Sequence, residues 1–387
     1  MRTLRILGTR GVPAAHGGFE TFAERLALYL VGRGWRVVVY GQDEGHGPVV
    51  EDQWQGVERV RIPCGPDTPK NTIVFDWRAT RHAARRGDLC LTLGYNTAVF
   101  CVLLRAAGVP NLINMDGIEW RRAKWGAVAR TWFWLNEHAG SRLANHLVAD
   151  HPEIARHLSR SVAVTKITTI PYGADELHAS PLPCDAPVLA PFNAFVHAPS
   201  GAPVRALGLV PGGFLTLIAR PEPENSVLEA VQGFSCRPRG KLLAVLGRYD
   251  DAHPYHRAVR AAASAEVRFL GAIYEPAVVQ ALRVHSLAYV HGHRVGGTNP
   301  SLVEALGAGN PVIAHDNRFN RWVAADAAHY FDGTAGEHGF DAVLSRLLAD
   351  PPALQALARA ARARFADAFR WPDVLAAYET LLLQYLR

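Results

Sequence analysis

The chain alternates short, nearly continuous apolar runs with longer segments in which apolar residues recur every three or four positions. Residues 3–7, 36–40, 89–93, 112–115, 147–149 and 166–170 read as strands, as do 214–218, 241–246, 267–270 and 288–290 further on. Helical spacing is clearest after Gly17 and Gly18, where Phe19, Phe22, Ala23, Leu26 and Leu30 fall on one face. Strands this apolar are buried on both sides, and their alternation with helices predicts an α/β fold built on parallel sheets. Between 176 and 211 Pro and Ala accumulate without sustained periodicity, which predicts a linker. The expected division is a first domain over 1–175, a linker over 176–211, a second domain over 212–370 and a last helix over 371–387. On that helix Val374, Tyr378, Leu381, Leu382 and Tyr385 share an apolar face.

At 387 residues, with 49% hydrophobic and 20% charged positions, the chain has material for two cores and is expected to be soluble. A formal charge of +6 suits an anionic nucleotide, an anionic lipid surface or nucleic acid alike, so charge does not choose among them. Cys64, Cys90, Cys101, Cys184 and Cys236 show no Cys-x-x-Cys pair and no metal spacing, and their odd number argues against a complete disulfide framework. A reducing compartment is expected. No apolar run approaches the roughly 20 residues of a membrane span, and the strand at 1–8 is too short for a signal peptide. The expected location is the cytoplasm, at most peripheral to a membrane.

Candidate chemistry gathers at 289–315, YVHGHRVGGTNPSLVEALGAGNPVIAH, which reads as strand, glycine loop, helix, turn, strand. Pro300 and Ser301 sit where N1 and N-cap chemistry is expected, and Gly307, Gly309 and Pro311 end the helix. Gly296, Gly297, Thr298 and Asn299 would then present backbone N–H groups at the positive end of a helix, as an anion site does. An ordinary αβ turn that contains glycine reads the same way. Glu304 lies one turn inside on the Ser301 face, where a carboxylate can accept two hydrogen bonds from a vicinal diol. Phosphate with hydroxyls close by means a nucleotide.

A second glycine loop precedes the helix that opens at Gly17 and Gly18, but it lacks the GxGxxG fingerprint of a dinucleotide site. Within it Arg10 and His16 are either substrate contacts or solvated loop residues. The stretch 114–125, NMDGIEWRRAKW, follows a strand and so sits at a carboxyl edge, where open α/β sheets bind ligands. Asp116 and Glu119 there are either a general base or acceptor-hydroxyl clamp, or ordinary loop carboxylates. Arg121, Arg122, Lys124 and Arg130 are interleaved with Trp120, Trp125, Trp132, Phe133 and Trp134. That segment reads as a surface for anionic membrane or nucleic acid, or, more commonly, as aromatic residues over a core with bases in water. Glu137 and His138 follow without an evident chemical partner.

The 289–315 segment resembles the donor-binding motif of the family 4 retaining glycosyltransferases, which carry Glu, seven residues, Glu before an Ala-x-x-x-Gly-x-Pro-Val-Ile ending. Glu304 matches the second Glu, which in the family holds ribose hydroxyls, and Gly309, Pro311, Val312 and Ile313 match the ending. Gly296 stands where the first Glu should be. The GGTNPS form, the His-Gly-His before it and the later Phe319, Asn320 and Arg321 are similar to a bacterial subgroup that includes rhamnosyltransferases of surface-polysaccharide assembly.

The resemblance covers nearly the whole chain. It implies two Rossmann-like domains facing a cleft, the glycosyltransferase-B fold, with the last helix crossing back to the first domain. It places Gly17 and Gly18 next to the donor diphosphate and the acceptor, and makes Arg220 the first of two cations gripping the diphosphate. Asn225 occupies the position of the second, a Lys, and Arg294 is the candidate replacement. Gly247, at a strand end, is expected to let a base or sugar approach. A DG-x-EW pattern in the subgroup ranks Asp116 above Glu119.

The implied activity is transfer of a hexosyl or 6-deoxyhexosyl group from a nucleotide diphosphate sugar to an acceptor hydroxyl, with retention and no cofactor. No Asp-x-Asp pair or metal-spaced cluster occurs in the sequence, so a metal-free reaction is expected. The expected acceptor is a saccharide, a lipid-linked saccharide or a small molecule, in polysaccharide or antibiotic biosynthesis; nucleic acid is not an expected partner. The glycine at 296 and the subgroup pattern point to dTDP-L-rhamnose or a relative as donor. A sugar-nucleotide 2-epimerase of the same fold and a catalytically weak binding subunit are the rival readings.

Overall fold

A computed structural model describes residues 2–15, 17–177, 200–333 and 336–386. Two compact units result, one comprising 1–172 with 371–387, the other 173–370.

The first unit holds an eight-stranded sheet. Its strands are β1 (Thr3–Leu7), β2 (Arg36–Asp43), β3 (Val50–Trp54), β4 (Val57–Pro63), β5 (Leu89–Leu93), β6 (Asn111–Asn114), β7 (His146–Ala149) and β8 (Ile167–Thr169). They lie in the order β3-β4-β2-β1-β5-β6-β7-β8. All pairs are parallel except β3 with β4, an edge hairpin closed by Gln55 and Gly56, both at positive φ. Leu4, Ile6, Val37, Val39, Leu91 and Val148 are fully buried, which is why the central strands are so apolar.

The helix Trp371–Leu383 completes this unit's core, so the last helix does return to the first domain. The Tyr378 ring packs 4.6 Å from that of Phe22 at a tilt of 50°, and its hydroxyl accepts from Asn114 Nδ2 at 2.8 Å. The buried Glu379 accepts hydrogen bonds from Trp35 Nε1, Tyr29 Oη and Arg33 Nε. Burial pushes the Glu379 carboxyl up, but the bonds from Trp35 and Tyr29 and the Arg33 charge outweigh it, leaving it below the usual carboxylate range.

The second unit holds six parallel strands, β9 (Phe214–Ile218), β10 (Leu242–Leu246), β11 (Val267–Gly271), β12 (Ala288–His291), β13 (Val312–His315) and β14 (Ala328–Phe331). Their order is β11-β10-β9-β12-β13-β14. The stretch just before β9, read from sequence as the end of a linker, carries a helix at Ala202–Ala206. Its Val204, with Leu209, is buried against Phe214 and Leu282, so this part belongs to the second unit's core; residues 178–199 lie outside the described residues. Ala174 N donates to Phe369 O at 2.9 Å, which sets the chain entering this unit beside the chain leaving it.

Candidate functional site

In an open parallel sheet the loops at adjacent carboxyl ends diverge where the strand order reverses, and ligands bind in that crevice. The reversal falls between β1 and β5 in the first unit and between β9 and β12 in the second. Arg220 follows β9, and the Gly296 loop follows β12, so the second reversal is flanked by the two stretches with anion-binding character.

Around that point the two loops are laced together. Arg294 N donates to Glu224 O at 2.9 Å, and Gly292 lies so close to Asn225 that a Cβ would stand 2.1 Å from its carbonyl oxygen. The buried Asn225 donates from Nδ2 to the Arg220 carbonyl at 2.9 Å, so at the position of the family's Lys this chain has a residue that shapes the loop. Arg294 binds Ser226 Oγ through Nε at 2.7 Å and pairs with Glu229. Its charge is already offset, which counts against Arg294 as a free replacement cation. Arg220 is exposed, and its guanidinium has no ion-pair partner among the described residues.

Gly296 adopts φ 134°, a conformation open to glycine and costly for other residues, and the space where its side chain would stand is empty. The helix after the loop is Pro300–Gly307, and its N-cap is Asn299, whose side chain accepts from Ser301 N at 3.0 Å. The expected capping role of Ser301 therefore passes to Asn299, and one amide is withdrawn from any anion. Thr298 is buried, while Gly297 and Asn299 are half-buried. Glu304 forms an ion pair with Arg283, a buried guanidinium on the helix Pro276–His285. Arg283 was not anticipated, although an Arg between Leu282 and Val284 on an apolar stretch signals a buried cation that needs a carboxylate. Gly247 has a structural reason of its own: a Cβ there would lie 2.5 Å from the Ala219 carbonyl oxygen, where the ends of β9 and β10 meet. That close approach requires glycine at this strand end independently of the expected contact with a base or sugar.

His291, His293 and His315 lie beside these loops, and their roles were not read from sequence. His291 is buried and stacks on His293 at 4.5 Å, with neither ring nitrogen hydrogen-bonded to the protein. Burial, then the neighbouring His293 and His315, hold its ring well below the usual imidazole range, so it is neutral at pH 7. Asn320 donates from Nδ2 to the carbonyls of both His293 and His315, each at 2.8 Å, and Asn317 donates to the same two. Within the 319–321 pattern, Asn320 thus holds the histidine loop.

In the first unit the loop after β1 is held by carboxylates of the helix Gly17–Gly32. Glu20 accepts from Arg10 N at 3.1 Å and Glu24 from Ala14 N at 2.6 Å. Arg10 pairs with Asp67 across a pocket of about 200 Å³ that Pro13, Glu20, Asp43 and Gly65 also line. Gly17 and Gly18 begin the helix as expected, and His16 lies outside the described residues.

Asp116 follows β6 at the carboxyl edge with φ 49°, a left-handed backbone that costs energy for a residue with a side chain. Burial, and then the charge of Glu119, push its carboxyl up. Glu119 accepts from Arg122 at 2.8 Å and Trp125 Nε1 at 3.2 Å, so its oxygens are committed to the fold and Asp116 is the better placed of the two. Glu137 does have partners: Trp120 Nε1 and His157 Nε2 bind its two oxygens. Among the described residues no three His, Cys, Asp or Glu side chains are grouped as metal ligands.

A family model described as a domain of unknown function (DUF1972) matches residues 1–175. No curated protein sequence matches the chain. Among solved structures, sucrose-phosphate synthase from Thermosynechococcus elongatus is similar over 99% of both chains, with 17% identity and a TM-score of 0.78. HepE of Anabaena in complex with UDP and glucose is similar over 99% of both, with 12% identity and a TM-score of 0.74. The UDP-forming α,α-trehalose-phosphate synthase from Burkholderia xenovorans, in complex with glucose-6-phosphate, is similar over 99% of this chain and 100% of its own, with 14% identity and a TM-score of 0.72. Likeness at these identities establishes architecture: the chain has the glycosyltransferase-B fold.

Proposed function

We propose that this protein is a glycosyltransferase that takes a sugar from a nucleotide diphosphate sugar and joins it to an acceptor hydroxyl. The observation that carries the reading is the pairing of an unopposed Arg220 with the Gly296 loop at the strand-order reversal of the second unit. The solved structures of the same fold support it, since two of those named hold UDP or are UDP-forming.

In this reading Arg220 and the backbone amides of Gly296 and Gly297 bind the diphosphate and meet the charge that grows on the departing phosphate as its bond to the sugar C1 breaks. The acceptor oxygen forms the new bond to C1 from the same face, its proton passes to the departing phosphate, and configuration is retained. One preorganised donor of this kind is worth roughly 100 to 1000-fold in rate. Asp116 serves as the clamp on the acceptor hydroxyl. Glu304, one oxygen held by Arg283, keeps the other for a ribose or deoxyribose hydroxyl.

The proposed donor is a 6-deoxyhexose such as L-rhamnose carried on dTDP. Gly296 offers no carboxylate for a sugar hydroxyl, which penalises a 6-deoxy-L-sugar less than a hexose, and one free Glu304 oxygen suffices for the single 3′-hydroxyl of deoxyribose. Side-by-side assays with dTDP-L-rhamnose, UDP-glucose and GDP-mannose, with and without EDTA, test this. The expected result is preference for the first, unaffected by chelation. Preference for either of the others would reject the deoxysugar reading, and isomerisation of the donor without acceptor would instead indicate an epimerase.

A further inference from the structure

In the first unit the helix Pro69–Ala84, the segment 98–106 and the helix Ala127–Leu143 are neighbours. Thr97 Oγ1 donates to Asp76 at 2.8 Å, the rings of Trp77 and Phe100 meet at 5.3 Å, and Val99 N donates to Asn136 Oδ1 at 3.0 Å. These three elements carry eight of the thirteen large hydrophobic side chains exposed among the described residues, among them Trp77, Val102, Val128, Trp134 and Leu135. Val128 is 87% exposed and Leu135 51%. Seven residues apart, they lie two turns along one line of the helix, and Arg142 continues that line.

The charge on these segments is mostly positive. Over 69–86, 98–106 and 119–143 there are eleven Lys and Arg and three acids, Asp76, Glu119 and Glu137. Each acid is engaged inside the unit, by Thr97, by Arg122 and Trp125, and by Trp120 and His157 respectively. Arg86 is itself paired with Glu51 and Arg122 with Glu119; what faces water is apolar and predominantly basic.

Two polyanions attract such a face, and the side chains decide between them. Trp120, Trp125 and Trp132 spend their N–H groups on Glu137, Glu119 and the Asn96 carbonyl, so those rings brace the fold. Of the eight exposed side chains six are aliphatic, and these have no π face on which a base could stack. Aliphatic side chains with Trp and a basic surround are what enter the boundary between lipid headgroups and acyl chains.

We propose that this face docks on the surface of an anionic lipid bilayer, with Val128, Leu135 and their neighbours in the headgroup boundary and the Lys and Arg residues against lipid phosphates. No helix among the described residues is long and apolar enough to cross a membrane, so the contact lies in the interface. It does not depend on the proposed catalysis, and its test needs neither donor nor acceptor.

Co-sedimentation of the full chain with vesicles of phosphatidylglycerol and phosphatidylethanolamine, compared with vesicles of phosphatidylcholine alone, reads the contact. Partition onto the anionic vesicles is expected, weakened about tenfold or more by Val128→Ser with Leu135→Ser, which leaves every charge in place. A second pair, Arg130→Gln with Arg142→Gln, should weaken it while keeping the apolar side chains; circular dichroism of both pairs confirms folding. Absence of partition at about 0.1 M salt, or partition that the serine pair leaves unchanged, overturns the proposal. A preference for single-stranded oligonucleotide over the anionic vesicles would assign the face to nucleic acid instead.

Discussion

Two carboxylates and an arginine show how burial and partners divide the work. Asp76 is pushed up to about 6 by burial, against the bond from Thr97. A carboxyl raised on folding binds its proton more tightly in the native state, so it costs stability as pH climbs from the unfolded value toward 6 and beyond. Asp76→Asn should therefore melt higher than the parent at pH 8, by about 1–3 kcal/mol in stability, with the gain vanishing by pH 4. A gain that persists at pH 4 in thermal scans would contradict that origin. Glu304 is bound on one side by Arg283, and Glu304→Ala should weaken nucleotide binding by roughly 1.5–3 kcal/mol, the range for hydrogen bonds to a charged group. Unchanged affinity in a folded variant would remove Glu304 from the site. Arg220→Ala should lower kcat more than it raises KM, because charge on the phosphate grows toward the transition state; steady-state kinetics showing only a raised KM would reduce Arg220 to a binding residue.

The elements differ in how far their sequences announce them. The central strands β1, β2, β5, β9 and β10 were legible because burial on both faces leaves only apolar residues. The hairpin β3–β4 was not, because it lies at the sheet edge, where Asp52 bridges Arg59 and Arg61 and the strand reads as charged. The two glycine loops were legible as loops. That Asn225 would hold the Arg220 carbonyl and Asn320 the carbonyls of His293 and His315 was not, since a carbonyl acceptor is the same whatever the residue. The last helix was legible from its apolar face, but the buried Glu379 within it was not a visible anchor. Glu379→Ala leaves the Trp35 N–H and Tyr29 hydroxyl without an acceptor and should cost about 1–3 kcal/mol at pH 7. The depressed carboxyl contributes stability above its unfolded pKa and loses it as pH falls through the folded one, so the gap from the parent should narrow in acid. Chemical denaturation at both pH values measures it.

Across the chain, a sheet parallel but for its edge hairpin and a fully parallel one each carry a strand-order reversal, and the chain passes from the first unit into the second and returns for its last helix. The sequence announced the two-unit architecture through strand and helix alternation, and the family resemblance supplied the connection. What periodicity cannot report is which loops meet at a reversal, because that depends on strand order. Residues 220 and 296 are separated by three strands in sequence, yet β9 and β12 are neighbours. This meeting point is the proposed site for the diphosphate of a nucleotide sugar. Hydrogen–deuterium exchange of the full chain, with and without saturating dTDP, tests it most directly. Slowed exchange is expected at 219–226 and 292–301; unchanged exchange in both stretches while dTDP binds and protects amides elsewhere would place the diphosphate at another site.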